Sequence, residues 1–97
     1  MRSMKEKMKR KRKIPETLAE LRQGEVAVVK EVRAEGAIKH RLVDMGIIPG
    51  TKVCVRKVAP LGDPIQISLR GYELLIRGSD AREILIGPEN GGITHGA

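Results

Sequence analysis

Leu42-Val43-Asp44-Met45-Gly46-Ile47-Ile48-Pro49-Gly50 reads as the end of a short helix, a stop and a turn into a strand. Ile38, Leu42 and Met45 recur at i, i+4 and i+7, so the spacing places them on one helical face over about 37–45. Gly46 is positioned to take the left-handed conformation that ends a helix. Pro49-Gly50 suits the centre of a type II turn, with proline presetting φ and glycine accepting a positive one. The rest of the chain is strand-like, so this helix is the main interruption in a β chain.

Before it, Glu25–Arg33 reads as a first strand, with Val26, Val28 and Val32 on one face and Ala27, Val29, Glu31 and Arg33 on the other. Lys30 breaks the apolar face, as at a bend or rim. Upstream, Thr17 and Glu20 have capping-box spacing, which predicts a helical turn near 17–21 with Leu18 and Leu21 inward. After it, Val53 and Val55 alternate with Cys54, Arg56 and Val58 over 51–58. Ile65, Ile67 and Leu69 then alternate with Gln66, Ser68 and Arg70. Gly71 marks a tight reversal into Tyr72–Ile76. Ser79 is placed to cap a helical turn over about 79–83, and Ile84-Leu85-Ile86 is a last short strand. Five short strands separated by turn signals predict a mainly β fold, a small barrel that hides its edges by curling on itself.

Composition narrows the class further. The 97 residues suit one small domain, whose core must come from Val, Ile, Leu and Met because Tyr72 is the sole aromatic residue. The net charge of +7 is not spread evenly. Residues 1–13 hold eight of the nineteen Lys/Arg and one of the twelve acids, so 14–97 holds eleven of each and is neutral. The chain therefore divides into a basic arm, 1–13, expected to be disordered alone; a domain, 14–86; and a Gly-rich tail, 87–97, expected to be flexible. Lys5, Lys7, Lys9, Arg10, Lys11, Arg12 and Lys13 would suit an anionic surface, a lipid headgroup or a nucleic acid. The neutral domain, without stacking aromatics, argues against specific nucleic-acid readout. A lone cysteine, Cys54, and the absence of an apolar signal region in 1–13 point to the cytoplasm.

No phosphate-cradling loop or nucleophile–base set stands out, which argues against an enzyme. His40 and Asp44, at i and i+4, form a candidate metal pair for a divalent transition metal. They need a third ligand from elsewhere, such as Glu35. The candidate docking surface is apolar and loop-based: Leu42 on the helix with Pro60, Leu61, Gly62, Asp63 and Pro64 on the proline-bounded loop.

Taken in order, Gly24-Glu25, Arg41–Gly50, Ala59–Ile65, Arg70-Gly71-Tyr72 and Asp80–Ile84 resemble the FeoA family, the small ferrous iron transport protein A. The resemblance covers about Leu18 to Ile86. It implies an SH3-like β-barrel with helical insertions. It also implies a non-enzymatic accessory of ferrous iron uptake whose partner is the membrane transporter FeoB, through its cytoplasmic G-protein part or another cytoplasmic region. That would place the protein in the cytoplasm, peripheral to the inner membrane through its partner. A metal-binding or metal-sensing module, or a nucleic-acid-associated barrel using its arm, are the alternatives.

Overall fold

The structure, a computed structural model, describes residues 14–88 and the short strand Thr94–His95. The basic arm 1–13 and most of the tail lie outside the described residues.

The chain enters along the free edge of the last long strand. Ile86 N–H donates to Glu16 O at 3.0 Å, and Thr17 forms an isolated bridge with Leu85. The helical turn expected near 17–21 is a 3-10 turn, Leu18–Glu20. Its capping box is not formed as the spacing predicts. The Glu20 carboxylate accepts from Glu16 N–H (2.9 Å) and from the Thr17 hydroxyl (3.4 Å), and Thr17 makes no side-chain cap to the backbone. Leu18 and Leu21 are buried, as their spacing implies. A tight turn follows, closed twice by Arg22 and Glu25: Glu25 N–H donates to Arg22 O, and Arg22 N–H to the buried Glu25 carboxylate at 2.7 Å.

Strand β1 (Glu25–Val32) leads through a short link to helix α1 (Gly36–Asp44). Then come β2 (Lys52–Val58), β3 (Ile65–Leu69), β4 (Tyr72–Ile76), the one-turn helix α2 (Gly78–Ala81), β5 (Ile84–Gly87) and β6 (Thr94–His95). The architecture is mainly β with one inserted helix, as expected. All pairings are antiparallel, in the order β4-β3-β2-β1-β5, with β6 pairing β1 through Glu25 and Val26. The path is open, since β4 and β5 at its ends do not pair with each other. Regular structure runs past Ile86, because Gly87 completes β5 and Thr94–His95 adds the β6 pairing.

Two bulges set the inside and outside of this sheet. In β1 the register with β5 shifts between Val29 and Glu31, leaving Lys30 as the extra residue. A bulge inserts one residue and so reverses the alternation beyond it. Ala27 and Val29 face the core before it and Val32 after it, which corrects the simple two-face reading of this strand. The Lys30 stem lies over Gly87, where a Cβ would come within 2.6 Å of Lys30 Cδ. Glycine there gives the aliphatic chain its place, and the charge can remain at the surface. The second bulge lies in β2, between Val55 and Lys57, where its register with β3 shifts.

The core is aliphatic: Leu18, Ala27, Val29, Leu42, Ile47, Val53, Val55, Ile65, Ile67, Leu69, Ile76 and Ile84 are among its buried members. Each fully buried Leu, Ile or Val contributes about 1.5–3 kcal/mol. The β3 alternation is borne out, with Ile65, Ile67 and Leu69 all buried.

Helix α1 departs from its expected amphipathic seating. Of its nine residues only Leu42 is buried, and Ile38 is 42% exposed. The strip Ile38–Leu42–Met45 is therefore correct at Leu42 and at Met45, which packs partly on the core, but not at Ile38. One helical turn before Leu42, the chain has already left the barrel surface. The stop itself is as expected. Gly46 has φ +96°, Gly50 has φ +95°, and Thr51 N–H donates to Ile48 O at 3.1 Å across Pro49-Gly50. The β3–β4 reversal uses positive φ at both Arg70 and Gly71, the backbone of a two-residue hairpin turn.

Candidate functional site

The site is built where the loop between β2 and β3 meets α2. Gly62 N–H donates to Ala59 O at 2.7 Å, closing a turn with Pro60 at its second position, and Ala59 N–H donates to Pro64 O at 3.1 Å. The Asp63–Pro64 bond is cis. The Asp63 carboxylate then accepts from Gly78 N–H at 3.1 Å. Gly78 approaches so closely that a Cβ there would lie 3.1 Å from Gly62 O. The cap of α2 thus comes from Asp63, fifteen residues upstream, rather than from Ser79. Ser79 lies inside the helical turn with Arg77 at the N-cap position. Of the loop residues expected to meet a partner, Asp63 has this structural task. Leu61 stands at the tip, 95% exposed. Pro60 and Pro64 are exposed beside it.

Asp63→Ala is expected to cost about 1 kcal/mol, the usual value of an N-cap side chain, and to speed amide exchange at Gly78 by about tenfold or less. Unchanged exchange at Gly78 would show that the loop is not tied down by this bond.

Leu42 does not belong to the docking surface. It is fully buried beneath α1 and touches the core, so the expectation for this residue is corrected. What α1 offers to solvent instead is Ile38, His40, Val43 and Asp44. His40 and Asp44 are both exposed on the helix. Among the described residues no group of three or more His, Cys, Asp or Glu side chains comes together around a common point.

The helix is held at three places that single residues did not announce. Arg41 Nη2 lies 2.6 Å from Asp80 Oδ2, whose side chain is nearly buried. The Tyr72 hydroxyl donates to the carbonyl of Met45, the C-cap residue of the helix. Thr51, buried, donates its hydroxyl to Gly46 O at 3.1 Å and accepts from Arg70 Nη2 at 3.3 Å. Helix ends leave carbonyls without intrahelical partners, and here side chains from the β3–β4 hairpin and from β2's approach supply the donors. The separate sequence stretches 41–50, 59–65, 70–72 and 80–84 are thereby one contact network.

A shallow groove of about 410 Å³ opens beside the loop, lined by Pro60, Pro64 and outward side chains of β2, β3 and β4. Its floor was not legible beforehand, because it depends on strand register. No helix among the described residues is long and apolar enough to cross a membrane.

The FeoA domain family matches residues 16–88. Over 67 residues the chain is 34% identical to an Fe(2+) transport protein A/Fe(2+) transporter FeoB fusion protein of Porphyromonas gingivalis, a match covering 69% of this chain and 8% of the fusion protein. The solution structure of the FeoA protein of Chlorobium tepidum is 40% identical, with TM-score 0.71, covering 77% of this chain and 71% of that one. The crystal structure of Stenotrophomonas maltophilia FeoA complexed with zinc, described as a procaryotic SH3 domain protein, is 26% identical. It matches with TM-score 0.71 over 86% of this chain and 100% of that one.

Proposed function

Because the chain belongs to the FeoA family, we propose that it is a non-enzymatic accessory of ferrous iron uptake that docks on the cytoplasmic G-protein part of a FeoB-type membrane transporter. The observation that carries this reading is the Porphyromonas gingivalis relative, in which the matching domain and a FeoB transporter share one polypeptide. A tether holds two partners at high effective concentration. In the proposal, this domain reaches the same neighbour through its own surface. The matched part is a small fraction of that fusion protein, so the transporter's contribution lies outside it.

The contact proposed is the rigid loop at the β2–β3 connection, with Leu61 as an apolar knob on a frame set by Pro60, Pro64 and the Asp63–Gly78 bond. A knob already ordered loses little conformational entropy on binding. Docking alters the transporter only through differential affinity for its conformations. The basic arm adds attraction to the anionic inner leaflet, at about 1 kcal/mol for each basic residue near the surface.

The test is a pull-down with the purified cytoplasmic domain of a FeoB-type transporter, followed by its GTP hydrolysis rate. Binding is expected with the full chain and with residues 1–13 removed, and is expected to fall at least tenfold in Leu61→Ser. Removal of the arm is expected to lower recovery only on vesicles containing anionic lipid. Absence of binding to any cytoplasmic part of the transporter would overturn the proposal.

A further inference from the structure

The outer face of β2, β3 and β4 carries a feature that the loop alone does not explain. Register places Lys57 of β2 opposite Gln66 of β3, and Gln66 opposite Leu75 of β4. Residues directly opposite share a face of an antiparallel sheet. Lys57, Gln66 and Leu75 therefore form a row straight across three strands, and all three line the groove beside Pro60 and Pro64. The row exists because of the bulge between Val55 and Lys57. Without the extra residue, the alternation that buries Val53 and Val55 would turn position 57 inward. With it, Arg56, Lys57 and Val58 are all exposed in succession. Bulges are used to re-aim side chains.

The row is split in character. At its β4 end Leu75 is 63% exposed, and towards the loop the groove is lined by Pro60, Pro64 and the exposed end of β2 at Val58. In a core built wholly of aliphatic residues, an exposed leucine on a strand beside an exposed valine and two prolines is an unpartnered apolar surface. At its β2 end lies Lys57, next to Arg56, whose guanidinium pairs with Glu73 on β4. Glu73 is already shared, accepting from Gln66 Nε2 at 2.6 Å and lying 3.6 Å from Arg56 Nε. Lys57 has no carboxylate partner among the described residues. The groove thus presents apolar side chains at Leu75 and the loop prolines, and one uncompensated ammonium two strands across from Leu75.

We propose that this row is a second docking element, which receives a protein segment carrying an aliphatic side chain next to a carboxylate. The aliphatic side chain covers Leu75, Val58, Pro60 and Pro64, and the carboxylate pairs with Lys57. The inference rests on the transporter reading for its natural partner but not for its chemistry. The ammonium supplies orientation and specificity, since an exposed ion pair alone contributes little affinity, and the apolar half supplies the burial.

Two probes test it with the full chain. One is the cytoplasmic domain of a FeoB-type transporter. The other is a set of labelled decapeptides: glutamate–leucine, lysine–leucine and glutamate–serine alternations. Amide chemical shifts are expected to move at Lys57, Gln66 and Leu75 with the glutamate–leucine peptide and not with the other two. Lys57→Glu and Leu75→Glu are each expected to weaken both probes by tenfold or more. Ile38→Glu on α1 is expected to leave both unchanged, and circular dichroism of each variant checks that it is folded. If the transporter domain binds but the two groove variants bind it like the parent, the groove is wrong and the transporter reading stands. If only the glutamate–leucine peptide binds, at this row, the groove stands and the transporter reading is wrong. If neither binds, or if shifts concentrate on α1, the groove proposal is overturned.

Discussion

Leu42→Ala is expected to lower the unfolding free energy by about 2–5 kcal/mol, the range for a large-to-small change in a core. The position is extreme for this fold. Leu42 is fully buried, and no other residue of α1 is buried. The removed methyl groups leave a cavity that α1 must either keep or close by moving. Small domains have about 5–15 kcal/mol in total, so the loss is a large share. Urea denaturation with an unchanged slope would report it as stability rather than as a change in the unfolded chain. Ile38→Ala, one turn earlier and exposed, is expected to change stability by about 0.5 kcal/mol or less. If the two variants cost the same, α1 packs on a different face from the one described.

The second large effect concerns the stop that follows. Gly46→Ala is expected to cost about 2–3 kcal/mol, from two sources. A left-handed backbone at φ +96° costs an L-residue about 1–2 kcal/mol. The new Cβ would also sit 3.0 Å from the Tyr72 hydroxyl, pushing it off Met45 O. The hydrogen bond itself is worth about 1 kcal/mol, which Tyr72→Phe measures alone. The double variant, Gly46→Ala with Tyr72→Phe, is expected to cost less than the sum by about 1 kcal/mol. Phenylalanine has no hydroxyl left for the methyl group to displace. Thermal or chemical unfolding of the four proteins gives the coupling directly. Additivity within about 0.3–0.5 kcal/mol would show that the helix stop and the β3–β4 hairpin are independent.

Local chemistry was legible in the sequence wherever the structure follows local rules. Gly46 and Gly50 take the positive φ that a helix stop and a type II turn demand. Ile65, Ile67 and Leu69 are inside because strict alternation has period two. The misreadings arise where a residue's neighbour is distant in sequence. Ile38 fits the helical strip, but whether a strip is covered depends on how far the barrel extends beneath it. Ser79 is a good cap by type, yet Asp63 reaches Gly78 first, from a loop fixed by its own turn. Lys30 and Arg56 mark bulges, and a bulge is a property of two strands in register rather than of one. The same limit hid the row Lys57–Gln66–Leu75. Leu61 was legible as a loop-tip leucine, and Leu42 was misplaced because an apolar residue on a short helix reads alike whether it meets the core or a partner.

The network also explains why the sequence pieces that identify the family act together. Arg41 meets Asp80, Met45 and Gly46 meet Tyr72, Thr51 meets Arg70, and Asp63 meets Gly78. Together they hold α1 and the β2–β3 loop against a small aliphatic barrel. In the docking proposal, a loop tip and a strand face tied down in this way lose little conformational entropy on binding.

The most direct test is calorimetric titration of the full chain into the cytoplasmic G-protein domain of a FeoB-type transporter, once with GDP bound and once with a non-hydrolysable GTP analogue. Saturable one-to-one binding is expected, with affinities that differ by at least tenfold between the two nucleotide states, about 1.4 kcal/mol. Equal affinity in both states would contradict conformational bias, and no binding in either would contradict docking itself.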